Sequence, residues 1–139
     1  MPRMDQAELE KFLDKDRHAI LATNGPDGVP QLTPVWYVYE EGRLYVSAQA
    51  DTVKVRNLQR DARISLCIDG GREDERYVVV SGIAELVEFH HPFQQEMRRR
   101  IVGKYHNTHE AAERYYESIR DYPAVLIVVT PQKIVTQKG

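Results

Sequence analysis

Three side chains between Ser47 and Lys54 have the chemistry to hold an anion: the hydroxyls of Ser47 and Thr52, and the ammonium of Lys54. Ser47 closes the apolar run Leu44-Tyr45-Val46-Ser47, and the residues after it predict a helix from Thr52 to Arg60 with Asp51 as N-cap. The first backbone N–H groups of a helix lack intrahelical acceptors and carry partial positive charge. Hydroxyls and a cation beside them form a phosphate cradle. A lysine in the first turn opposes the helix dipole unless an anion is bound there. The competing reading is a solvated lysine on an exposed helix face. Arg56 shares a helix row with Thr52 and Arg60, whereas Lys54 shares one with Asn57 and Leu58. Arg56 either reaches the phosphate from the Thr52 side or pairs with Asp61 or Glu73.

A second candidate is Leu32-Thr33-Pro34-Val35-Trp36. Proline has no N–H and sits in sheets only at edges or bulges, so Pro34 predicts a break in the ladder. Free backbone groups beside it suit the polar edge of a planar ligand, with Trp36 and Tyr37 supplying flat apolar surface. The competing reading is an edge strand with nothing bound.

Other chemistries find little support. The five histidines have neither a zinc-protease spacing nor a cysteine cluster, and read as surface or capping residues. No serine occupies a nucleophile-elbow pattern, and no carboxylate pair stands out as an acid–base couple. The single cysteine, Cys67, lies in an alternating apolar run and reads as core. No catalytic side chain and no metal ligand is therefore assigned. That pattern suits a protein whose chemistry belongs to a bound cofactor.

Composition agrees. The 139 residues suit one domain, residues 1–139, with 42% hydrophobic and 29% charged residues. A formal charge of -2 argues against bulk nucleic-acid binding. The run Ala124 to Val129 is far too short to span a bilayer. One cysteine and an N-terminus charged by Asp5, Glu8 and Glu10, with no apolar signal segment, lead us to expect a cytoplasmic protein.

The elements that must position these residues follow from pattern. Asp5 to Lys15 predicts a helix with an Asp5/Glu8 capping box and a Met4–Leu9 staple. Strands are expected at Arg17–Thr23, Gln31–Tyr39, Arg43–Ser47, Ala62–Asp69, Arg76–Phe89 and Ala124–Gln137, the last interrupted at Pro131. Gly82 predicts a bend or bulge in the fifth. Pro92 opens a helix carrying Phe93, Met97, Ile101 and Tyr105, and Thr108 caps another. The fold class is therefore mainly β (β+α). Six antiparallel strands of this length tend to close into a small barrel, with helices plugging its ends or covering a seam.

Several ordered stretches resemble the pyridoxamine-5′-phosphate-oxidase-like superfamily, and more closely its branch of flavin- and deazaflavin (F420)-dependent oxidoreductases. They are Val29 to Tyr37, Leu44 to Ser47, the run Lys54-Val55-Arg56-Asn57-Leu58-Gln59-Arg60-Asp61-Ala62-Arg63, and Val80 to Ala84. The resemblance implies a six-stranded antiparallel split β-barrel with flanking helices. It implies a homodimer with cofactor sites at the interface and a small-molecule substrate. It implies ring contacts at Leu32, Thr33, Pro34 and Val35. Phosphate or ribityl contacts are implied at Ser47, Thr52, Lys54, Arg56 and Asn57, and an interface contact at Tyr77. Pyridoxamine phosphate oxidases proper carry a C-terminal extension with basic residues. Val135-Thr136-Gln137-Lys138-Gly139 closes this sequence without one, so a reaction other than the vitamin B6 one is expected.

The leading expectation is hydride transfer between coenzyme F420 and a small planar or conjugated substrate. The alternatives are an FMN-dependent oxidase or reductase of the same fold, and a non-catalytic flavin-, haem- or tetrapyrrole-binding module.

Overall fold

The computed structural model describes residues 3–137. The first helix, α1 (Gln6–Leu13), opens as expected: Asp5 accepts from the Glu8 N–H and Glu8 reaches back, a complete capping box. Met4 and Leu9 are both buried in the core that this entry angle creates.

Seven strands follow in one antiparallel sheet, not six. They are β1 (Ala19–Asn24), β2 (Pro30–Val35), β3 (Val38–Glu40), β4 (Arg43–Gln49), β5 (Arg63–Asp69), β6 (Tyr77–Val87) and β7 (Ala124–Gln137). The extra strand arises because the single strand expected over Gln31–Tyr39 divides at Trp36 and Tyr37. The order across the sheet is β2-β1-β5-β6-β7-β4-β3. Its two edges, β2 and β3, are therefore neighbours in sequence. A flat sheet would separate them by about 29 Å at the usual strand spacing, whereas the chain from Val35 to Val38 reaches at most about 11 Å. The sheet must curl until its edges meet. The result is a mainly β split barrel with flanking helices, the expected class, with Trp36-Tyr37 bridging the seam.

Pro34 lies on the edge strand β2, paired with Ile20 of β1. An edge strand tolerates the missing donor. The β3–β4 hairpin turns on Glu41 and Gly42, both at positive φ (50° and 81°), as a two-residue turn matched to strand twist requires. Gly82 marks the expected bulge: the β6–β7 register shifts between Ser81 and Gly82. A Cβ on Gly82 would lie 2.2 Å from the Thr130 carbonyl oxygen. Pro131 pairs with Gly82 in this irregularity, so β7 is bulged there and is not interrupted.

Burial follows the two-residue period. Leu21, Leu44, Val46, Leu66, Ile68, Val78, Val80, Ile127 and Val129 fill the barrel interior, together with Phe12 and Leu13 of α1 and Val55 and Leu58 of α2 (Val53–Arg60). The alternate residues of β4 and β7 face α3 (Pro92–Lys104): Tyr45, Leu126 and Val128 pack on Met97 and Ile101. The first half of β7, residues 124–129, is thus covered on both faces, which explains its unbroken apolar run. Helix α4 (His109–Ile119) closes on α3 through Val102, Ala112 and Tyr116. Thr108 caps it as expected, accepting from the Ala111 N–H. No helix among the described residues is long and apolar enough to cross a membrane.

Two further expectations are corrected. Cys67 is exposed rather than core, because Ile64, Leu66 and Ile68 take the inward positions of β5 and alternation turns Cys67 outward. The N-cap of α2 is Thr52, not Asp51.

Candidate functional site

A cleft of about 520 Å³ opens where the seam, the end of β4, the start of α2 and the α3–α4 hairpin converge. That volume lies within the range of small-molecule sites. Pro34, Val35 and Trp36 line it from the seam, Ser47 and Gln49 from β4, and Thr52 and Lys54 from α2. Arg98, Ile101 and Val102 of α3, and Tyr115 and Ile119 of α4, also line it, together with Tyr122 and His18.

The anion cradle is built as follows. Thr52 has extended backbone (φ -89°, ψ 159°), so the chain turns into the helix at this residue. Its hydroxyl does not cap the helix but donates to the Gln49 carbonyl at 2.8 Å. The first helical bond runs from the Arg56 N–H to the Thr52 carbonyl. The preceding N–H groups of α2 therefore have no side-chain cap, and the first turn has no acidic residue. Lys54 is half-buried, and desolvation lowers its pKa below the ordinary lysine value. No carboxylate pairs with it among the described residues. An uncapped helix start, the Ser47 hydroxyl and a partly desolvated, unpaired ammonium make a donor set suited to phosphate, while the Thr52 hydroxyl has its proton on Gln49.

The ring-like end is aromatic. Trp36 stacks on Tyr105 (4.8 Å between centroids, 6° between planes) and lies 5.5 Å from Tyr115. Its indole N–H donates to His18 Nε2 at 3.2 Å. The Tyr105 hydroxyl donates to the Arg17 carbonyl at 2.6 Å and accepts from the Tyr37 N–H at 3.1 Å. Burial pushes its pKa up to about 12. Tyr105 is thus fixed without itself lining the cleft, and Trp36 is held by both neighbours.

The ten sequence-assigned residues divide by position. Pro34, Val35, Ser47, Thr52 and Lys54 meet in the cleft. Leu32 and Thr33 precede them on β2: Leu32 is 61% exposed on the outer face, and Thr33 has a buried hydroxyl without a partner. Arg56 is turned back to the Asp51 carbonyl at 2.9 Å, and pairs with neither Asp61 nor Glu73. Asn57 is buried, donates to the Thr23 hydroxyl at 3.1 Å and accepts from Arg60, binding α2 to the barrel. Tyr77 opens β6, opposite Asp69 and Gln137, away from the cleft of its own chain.

The structure adds His18, Arg98, Tyr115 and Tyr122 to the lining. Arg98 opens the run Arg98-Arg99-Arg100, which reads as solvated charge. The usable signal is its helix row, Gln94, Arg98 and Val102, one step from the apolar stripe; all three are buried, with α4 packed on Val102 and hydrogen-bonded to Arg98.

Similar structures share this architecture. A conserved hypothetical protein from Mycobacterium tuberculosis is 27% identical, with a TM-score of 0.81 over 97% of this chain and 85% of that one. An F420 reductase is 21% identical, with a TM-score of 0.69 over 91% of this chain and 94% of that one. An FAD-binding protein from Mesorhizobium loti is 19% identical, with a TM-score of 0.66 over 97% and 95%. Residues 5–138 match the pyridoxamine 5′-phosphate oxidase family, and with the curled sheet and its seam described, the chain belongs to that family.

Proposed function

We propose that this protein is a flavin-type oxidoreductase that uses coenzyme F420, with FMN as the alternative cofactor, to transfer hydride to or from a small planar substrate. The observation that carries this reading is the juxtaposition in one cleft of Ser47 from β4 and an uncapped helix start bearing Thr52 and Lys54 with the segment Pro34–Trp36. The first group would hold a phosphate and the second would lie along a ring. Such a cofactor supplies the hydride chemistry itself. The chain's own residues bind the phosphate, orient the ring between the seam and α3, and exclude water with Ile101, Val102 and Ile119.

A homodimer is part of the proposal. Outward residues align across five strands as Pro34, Ile20, Cys67, Val79 and Val135. Ile20 and Val135 are 42% and 43% exposed, and Leu32 lies in the next row. This apolar row begins at the cleft's Pro34, so a second copy seated on it would border the cofactor. Leu32 and Tyr77 would then contact it from the interface.

A haem-binding module is less well supported. His18 is the histidine that lines the cleft, and its Nε2 is engaged by Trp36.

Parallel fluorescence titrations with F420 and FMN test the proposal. F420 should bind the colourless protein more tightly than FMN. A yellow preparation that ignores F420 would move the assignment to FMN, and binding of neither would overturn it.

A further inference from the structure

The cleft is lined by two cations, Lys54 and Arg98, and by no Asp or Glu, in a chain whose net charge is -2. Arg98 is only 5% exposed. No carboxylate pairs with it among the described residues. Its Nη1 donates to the carbonyls of Arg120 (3.5 Å) and Tyr122 (3.3 Å), and Nη2 donates to that of Ile119 (2.8 Å). The Ile119 and Arg120 carbonyls end α4, where the helix dipole favours a cation, and that of Tyr122 lies just beyond it. They engage Nη1 and Nη2. The Nε–H has no acceptor. A buried ion without a counter-charge is costly, and a planar guanidinium recognises a carboxylate through two parallel N–H donors.

Lys54 is already committed to the cofactor phosphate in the reading above, on which this inference rests. Arg98 therefore has a second anion to meet, on the wall formed by α3. Around it stand Tyr115, Tyr122, Ile101 and Ile119, with Trp36 across the cleft. These surfaces suit a flat apolar body. We propose that Arg98 is the anion-recognition residue of a substrate subsite, and that the substrate class is an aromatic or conjugated carboxylate. Its ring would lie against the cleft aromatics and its carboxylate on the unpartnered Nε–H.

Benzoate and benzamide, equal in size and different in charge, are the probes. Trp36 is the chain's one tryptophan and lines the cleft, so its fluorescence reports occupancy. In the native, cofactor-free protein, benzoate should bind about tenfold more tightly than benzamide, as one hydrogen bond to a charged group provides. Arg98→Lys keeps a cation for the α4 carbonyls but lacks the fork, and should lose that preference. Lys54→Ala should retain it. In isotope-labelled native protein the Arg98 Nε–H resonance should shift with benzoate and not with benzamide, which decides the matter even where the lysine variant melts. Equal binding of the two probes, or a preference that survives Arg98→Lys and disappears in Lys54→Ala, would overturn the subsite. Cofactor titration of the native protein separates the two readings. Failure of F420 and FMN to bind removes the redox assignment and leaves the benzoate result standing. Cofactor binding without benzoate discrimination removes the subsite alone.

Discussion

Lys54 combines three properties that rarely coincide without a ligand: a first-turn position in a helix, partial burial, and no acidic partner. Replacing it with alanine removes one charge-assisted contact to phosphate, so F420 affinity should fall by roughly tenfold to a hundredfold. The melting temperature should hold or rise slightly, because a cation at a helix start is locally unfavourable. Unchanged affinity in the titration would remove Lys54 from the phosphate role. The first-turn position was legible in the sequence, since the helix start and the lysine are three residues of local pattern; the partial burial was not, because it depends on what packs beside the helix. Arg98 was not legible, because its burial depends on a second helix packing across α3. The outward position of Cys67 follows from alternation with Ile64, Leu66 and Ile68, but an apolar run reads as core unless one decides which of its faces has a partner.

At the scale of elements, Lys104 ties three pieces together. Its ammonium donates to the carbonyls of Leu13 and Tyr37, each at 2.9 Å, and lies 3.7 Å from the Tyr37 ring centroid. The end of α3 thereby anchors the end of α1 and the bridge over the seam. Burial lowers its pKa from 10.5 to about 8. The unfolded chain then binds more protons than the native protein between these two values, so stability rises with pH across that window. Lys104→Met should cost about 1–3 kcal/mol at neutral pH through the carbonyls left without donors. The native protein should gain further on the variant as pH climbs from about 8 to 10.5. Denaturant melts across that range check both, and a constant difference would contradict the assigned burial. Gly82→Val should be severely destabilising, since its Cβ would meet the Thr130 carbonyl and the bulge would have to open. The capping box and the bulge were readable from Asp5, Glu8 and Gly82 because both are local devices. The division of one expected strand at Trp36-Tyr37 was not, because both halves carry strand-like residues and only closure of the sheet assigns them to opposite edges.

At the scale of the molecule, the outward row Pro34, Ile20, Cys67, Val79 and Val135 makes an oligomer testable by one substitution. Ile20→Lys places a charge at an exposed position, so the isolated fold should tolerate it, while a dimer buried on that row should dissociate. Sedimentation should show half the native mass, and cofactor affinity should fall with it. A native monomer that binds cofactor fully would remove the interface from the proposal.

The position of β7 has a consequence for how the chain reaches its native state. This strand leaves the ribosome after every other strand, yet it sits between β6 and β4, away from both edges. Until it arrives, the earlier strands can form only two separate ribbons, β2-β1-β5-β6 and β4-β3, each with an open hydrogen-bonding edge. Barrel closure is therefore a late, non-local event in which a 14-residue segment is inserted between the ribbons. Nascent chains stalled before Ala124 should expose both edges and aggregate or recruit chaperones, whereas release of β7 should convert them in one cooperative step.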